Sequence, residues 1–141
     1  MVSVESVKAK VQRMLTDSFG SVRVDKDGDF FVTSGSAILF ISAQEFVLDT
    51  VIVTIRAFVL SGFKATPDVY KWVATKGQES WFGSYAVMDE GDTHLIVLSH
   101  ALLANHIDQP ELENAVLVLG YLADKHDDEL QSLFGGKRFT D

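Results

Sequence analysis

The stretch Ile107–Gly136, IDQPELENAVLVLGYLADKHDDELQSLFGG, decides how this chain folds. Asp108 is a good N-cap residue, and Pro110 follows inside the first turn, where a missing N–H and a fixed φ carry no penalty. Leu112, Val116, Leu119, Ala123, Leu130 and Leu133 recur at helical spacing, and Gly135-Gly136 supplies a left-handed stop. A helix this apolar, apolar on more than one side and placed after a long β-rich stretch, needs a sheet to cover. It leaves surface for a neighbour as well. The segment predicts a binding or assembly domain and names no reaction.

Upstream of it, two strands read as roughly Trp81–Met88 and Thr93–Leu98, joined by the tight-turn residues Asp89-Glu90-Gly91-Asp92. A shorter helix starts at Thr66-Pro67-Asp68, carries Val69, Trp72 and Val73 on its apolar side, and is expected to end at Gly77. Four strands precede it: Val22–Val24, Phe30–Thr33, Ala37–Ala43 and Val51–Val59. At the start, Val4, Val7, Val11, Met14 and Leu15 mark an amphipathic helix from about Ser3 to Ser18, closed by Gly20. The order α-β-β-β-β-α-β-β-α with short turns favours antiparallel pairing. The fold class is therefore α+β, an antiparallel sheet of five to six strands packed against helices. One domain is expected over residues 1–136, with 137–141 as a flexible tail.

The fourth strand alternates most clearly. Val51, Val53, Ile55, Ala57 and Val59 take one face; Ile52, Thr54, Arg56 and Phe58 take the other. Other strands are apolar on both faces too, with Ile38 and Phe40 opposite Leu39 and Ile41. Three helices cannot easily cover both faces of such a sheet. Part of one face is therefore expected to lie under another chain, either a second copy or a peptide. Shielding by loops and long side chains is the alternative. The candidate contacts are Ile52, Arg56 and Phe58, with Trp72 and Trp81 from the densest aromatic group, which also holds Phe82 and Tyr85. That group reads as core packing or as a peptide-gripping patch.

Composition narrows the classes. Of 141 residues, 20 are acidic and 12 basic, a formal net charge of −8 that on average repels nucleic acid and anionic membranes. There is no cysteine, which removes disulfides, thiolate metal sites and cysteine nucleophiles. The amino terminus has no apolar run of signal-peptide length, and the longest apolar runs fall well short of the roughly 20 residues of a membrane helix. A cytoplasmic protein is expected, without nucleic-acid or membrane partners.

Catalytic and metal motifs fail on spacing. His94 and His100 share a strand face but stand roughly 20 Å apart, too far for one ion. His106 and His126 read as loop and helix-surface residues. Asp25, Asp27 and Asp29 suggest calcium, but the loop's glycine is fourth, not sixth, so a hairpin turn explains them better. Gly135-Gly136-Lys137-Arg138 follows a helix instead of opening one, and no G-x-S-x-G elbow is present. No catalytic residue, metal or cofactor is assigned. Asp124, Asp127, Asp128 and Glu129 crowd the last helix, as a solvated surface or a dock for a basic segment.

Four segments carry a resemblance: DGDFFV (Asp27–Val32), GSAILFI (Gly35–Ile41), IDQPELENAV (Ile107–Val116) and ADKHDDELQSLFGG (Ala123–Gly136). Together they resemble YbjN-like domains, also described as type III secretion chaperone-like, and the likeness runs from about Val4 to Gly136. The resemblance implies an antiparallel sheet packed on helices, frequently dimeric, that binds peptides or protein segments without ATP or metal. It also implies that an extended client can add a strand to a sheet edge. The expected function is thus a non-catalytic peptide- or protein-binding module, a chaperone acting as a homodimer. The alternative is a small-molecule sensor or regulatory domain with its ligand between sheet and helix.

Overall fold

The computed structural model of the chain describes residues 2–79 and 81–139. Ser3 caps the first helix, α1 (Val4–Phe19), its Oγ accepting the Ser6 N–H at 3.1 Å. Then come β1 (Arg23–Val24), β2 (Phe30–Ser34), β3 (Ala37–Glu45), β4 (Val51–Phe63), α2 (Pro67–Glu79), β5 (Ser84–Glu90), β6 (Thr93–Leu103), α3 (Gln109–Phe134) and β7 (Lys137–Arg138). The order expected from sequence is present, with one strand added at the end.

Every strand pairing is antiparallel, and the sheet runs β1-β2-β3-β4-β6-β5 with β7 alongside β4. The sheet thus has seven described strands where five or six were expected. The extra one comes from the segment read as a loose tail: Lys137 and Arg138 pair with Ser61 and Leu60. Residues 140 and 141 lie outside the described residues. Two bulges carry β4 past the end predicted for it at Val59, and the first brings Leu60 opposite Ile96 on the buried side. Helix α2 continues through Gly77, since glycine lowers helix propensity by about 1 kcal/mol without forbidding the conformation.

The aspartate-rich turn behaves as its chemistry predicts. Asp25 Oδ1 accepts the N–H groups of Asp27 and Asp29 at 2.8 and 3.0 Å, and Gly28 takes φ 83°. At the start of α3, the Asp108 carboxylate caps the Glu111 N–H at 2.9 Å. The apolar stripe of α3 buries Leu112, Val116, Leu119, Ala123 and Leu130 but not Leu133, which is exposed. Phe134, a full turn beyond Leu130, closes the stripe against the core instead.

All three helices lie on one side of the sheet. Val7, Val11 and Leu15 of α1, Val69 of α2, and Leu112, Val116 and Leu119 of α3 join Leu39, Ile41, Ile55 and Leu98 of the strands in one core. The close approach of α3 to β2 and β3 depends on Gly120. A Cβ there would stand 3.1 Å from that of Ser34 and 3.4 Å from Leu39 Cδ1. The opposite face of the sheet carries no helix.

Candidate functional site

That open face has two halves, set by strand alternation. Toward β2 it is aromatic. Phe31 and Phe40 lie 5.7 Å apart by ring centroids, Phe40 and Phe58 5.2 Å, and Phe139 leans on Phe40 and Phe58 at 6.0 and 5.9 Å. The Arg23 guanidinium sits 4.7 Å above the Phe31 ring and closes the row. Toward β5 the residues are small and hydroxylated: Arg56 pairs with Ser99, and Ser99 with Ser84. Ser42 and Thr54 hydrogen-bond across β3 and β4 at 2.7 Å.

Arg56 is exposed at the boundary of the halves and looks onto a shallow trough of about 380 Å³ with Thr54, Ser84, Ser99 and Ala101. No carboxylate lines that trough among the described residues. The Arg56 guanidinium beside aromatic rings and hydroxyls can pair with a carboxylate at short range, against the longer-range repulsion of a chain of net charge −8. The chain's own rings shield the aromatic half in part, so Phe31, Phe40 and Phe58 are only half-exposed.

The five residues singled out from sequence do not form one site. Ile52, Arg56 and Phe58 share the open face along β4, whereas Trp72 lies on the helical side. Its ring stands edge-on to Tyr85 and His126 at 5.1 and 5.8 Å, and its buried Nε1 has no hydrogen-bond partner among the described residues. Trp81 lies just before β5, not in a strand, with its side chain fully exposed. It borders a groove of about 360 Å³ between α2, β5 and α3, with Phe82, Tyr85, Val118 and Leu122 as apolar lining and Lys76, Lys125 and His126 as basic groups. Sequence reasoning had no signal for Phe139, since its segment was taken as tail.

Two of the histidines are structural acceptors. His94 Nδ1 accepts the Ala65 N–H at 3.0 Å, and His100 Nδ1 accepts that of Gly83 at 3.2 Å while its ring stacks on Phe82 at 3.7 Å. His94 also reaches Asp89 at 3.3 Å, but that carboxylate is 91% exposed and belongs to no acid–base pair shielded from water. Part of the acidic cluster on α3 is tied down internally: Asp124 accepts from the Ser36 hydroxyl at 2.6 Å, and Asp128 pairs with Arg138 at 2.5 Å. Among the described residues, no group of three or more His, Asp or Glu is placed to hold a metal ion.

His126 Nδ1 and the Tyr85 hydroxyl share a short hydrogen bond, and burial, then Glu129, hold that phenol above its usual range. Burial pushes both the His100 and His126 imidazoles down; for His126, Glu129 opposes the shift and Lys125 and Lys76 reinforce it. The sign follows directly. Neutral imidazole is favoured in the fold, so the stability it contributes is full above the unfolded value near 6.5 and is lost as pH falls through the depressed folded values. Urea midpoints should therefore drop between about pH 7.5 and 5.5, and His126→Gln should flatten that slope. A midpoint that rises over the same interval would contradict the assignment. The Asp29 and Asp127 carboxyls, pushed up chiefly by burial, act in the opposite sense only at lower pH.

One antiparallel sheet carries all the described helices on one side and a half-buried aromatic face, covered in part by Phe139, on the other: this is the arrangement of a surface-binding module. The chain belongs to the TY-Chap1 family, described as "T3SS (YopN, CesT) and YbjN peptide-binding chaperone 1", whose family model matches residues 5–141. It is a family of non-catalytic chaperones, and its clients are peptides and protein segments. No curated protein matches the chain. No described helix is long and apolar enough to cross a membrane.

Proposed function

We propose that this chain is a cytoplasmic chaperone that works as a homodimer and holds an extended client segment on the open face of its sheet. The observation that carries the reading is the helix-free row Phe31–Phe40–Phe58 beside Arg56, half-buried and covered in part by Phe139. Rings supply sequence-tolerant apolar contact, Arg56 takes a client carboxylate, and the small residues Ser84, Ala86 and Ser99 let a backbone approach closely. Ile52, at the far end of β4 beside the exposed Leu103, extends the apolar track. The free edge of β5 offers backbone groups for strand addition next to the same face.

A ligand enclosed between the layers is a poorer fit, because Leu39, Ile41, Ile55, Leu98, Leu119 and Leu130 fill that space at 0% exposure. The test is titration with extended peptides that alternate aromatic and acidic residues, followed by amide chemical shifts and anisotropy. Shifts should cluster on β3, β4 and β6. Phe58→Asp should weaken binding at least about tenfold, and Arg56→Glu should do so for acidic peptides only. Shifts confined to the helical side, with both variants binding like the parent, would sink the reading.

A further inference from the structure

The hairpin between β3 and β4 ends in three consecutive apolar residues, Phe46, Val47 and Leu48, exposed by 49, 61 and 91%. Leu48 and Asp49 both hold φ at 57°, a left-handed turn whose usual occupants are Asn and Gly. A leucine there costs about 1 kcal/mol or more and hides nothing from water in return. The turn is nonetheless braced. The Thr50 hydroxyl donates to the Val47 carbonyl at 2.6 Å, and Asn105 reaches across to the Asp49 carbonyl and the Val51 N–H at 3.2 and 2.8 Å. The fold holds a strained, apolar tip out into solvent.

The tip has a counterpart on the same molecule. Glu45 and Asp49 flank it, and no lysine or arginine occurs between Lys26 and Arg56. Among the described side chains, the groove between α2, β5 and α3 offers the reverse: an apolar lining that includes Trp81, Val118 and Leu122, with Lys76 and Lys125 as charged groups and Tyr85 and His126 as the other titratable ones. At about 360 Å³ it has room for the Leu48 side chain and its neighbour. Within one chain the two cannot meet. Ser84 lies level with Arg56 and two strands over, so the tip stands about 20 Å or more from the groove.

We propose that the Phe46–Leu48 tip of one copy seats in the α2–β5–α3 groove of a second copy, with Glu45 and Asp49 against Lys76 and Lys125. Each copy offers one knob and one socket, so two such contacts about a two-fold axis close a dimer. This rests on the proposed self-association and assigns its surface. It leaves the open sheet face to the client.

Leu48→Asn separates strain from contact, because asparagine tolerates the left-handed turn. In sedimentation equilibrium the parent chain should associate reversibly. Leu48→Asn and Val118→Glu should each weaken association at least about tenfold, and mixing the two variants should restore a one-to-one complex through the single intact knob and socket. Leu48→Asn should melt no lower than the parent and should bind the peptide probes unchanged. A parent that stays monomeric up to about 200 μM overturns both the homodimer and this contact. Association undiminished in Leu48→Asn, or variants that each dissociate but fail to pair when mixed, overturns this contact alone.

Discussion

Leu119→Ala is expected to lower the unfolding free energy by about 2–5 kcal/mol, a large part of the roughly 5–15 kcal/mol that holds a domain of this size together. Leu119 is fully buried at the middle of α3. Its Cδ1 approaches the bend at Gly83, where an added Cβ would stand 2.9 Å away, and Leu98 Cδ1 lines the same spot. One wall of the hole left by truncation is β6, hydrogen-bonded to β4 on one side and β5 on the other, so it cannot easily move in to fill the space. Leu117, two positions earlier, is 44% exposed on the outer side of the helix. Leu117→Ala should stay within about 0.5 kcal/mol. Urea unfolding followed by circular dichroism separates the two, and equal losses would mean that α3 presents a different face to the sheet.

That contrast also shows what could be read from residues alone. Period and caps located α1 and α3, because Ser3, Asp108, Gly20 and Gly135 act through local backbone chemistry that needs no tertiary information, whereas α2 was placed by its period and Pro67 and outran the stop expected at Gly77. Alternation in β4 placed Ile52, Arg56 and Phe58 together on the unhelical face, and the structure keeps them there. Three features were illegible for physical reasons. Two bulges prolong β4, and a bulge leaves little trace in a pattern of period two. Lys137-Arg138 has no strand propensity of its own and pairs only because α3 delivers it beside Ser61. Trp72 and Trp81 are neighbours in sequence space but face different surroundings, since one packs on Tyr85 while the other stands in water. The hairpin tip failed differently. Leu48-Asp49 lacks the glycine that announces such a turn, which is why its strain is informative once seen.

Gly136→Val should release β7, and here the position of the residue near the chain end sets a ceiling on the effect. Gly136 holds φ 81°, and a Cβ at that point would run into the Ser61 carbonyl oxygen and lie 3.3 Å from the Cβ of Phe63. A β-branched side chain adds left-handed strain to that clash, together worth several kcal/mol if the segment stayed in place. It need not stay. Letting go forfeits only the pairing of Lys137 and Arg138 with β4, the Arg138–Asp128 ion pair and the half-covered ring of Phe139. The loss in stability should therefore level off at about 2–3 kcal/mol. The amide of Ser61, which faces β7, should exchange faster with solvent water while that of Leu60, facing β6, and those of β3 stay protected. Phe40 and Phe58, no longer roofed by Phe139, should raise the binding of an apolar dye. A valine variant with unchanged exchange at Ser61 would show that the β4–β7 pairing is not what holds this end of the chain, and that Phe139 does not roof the open face.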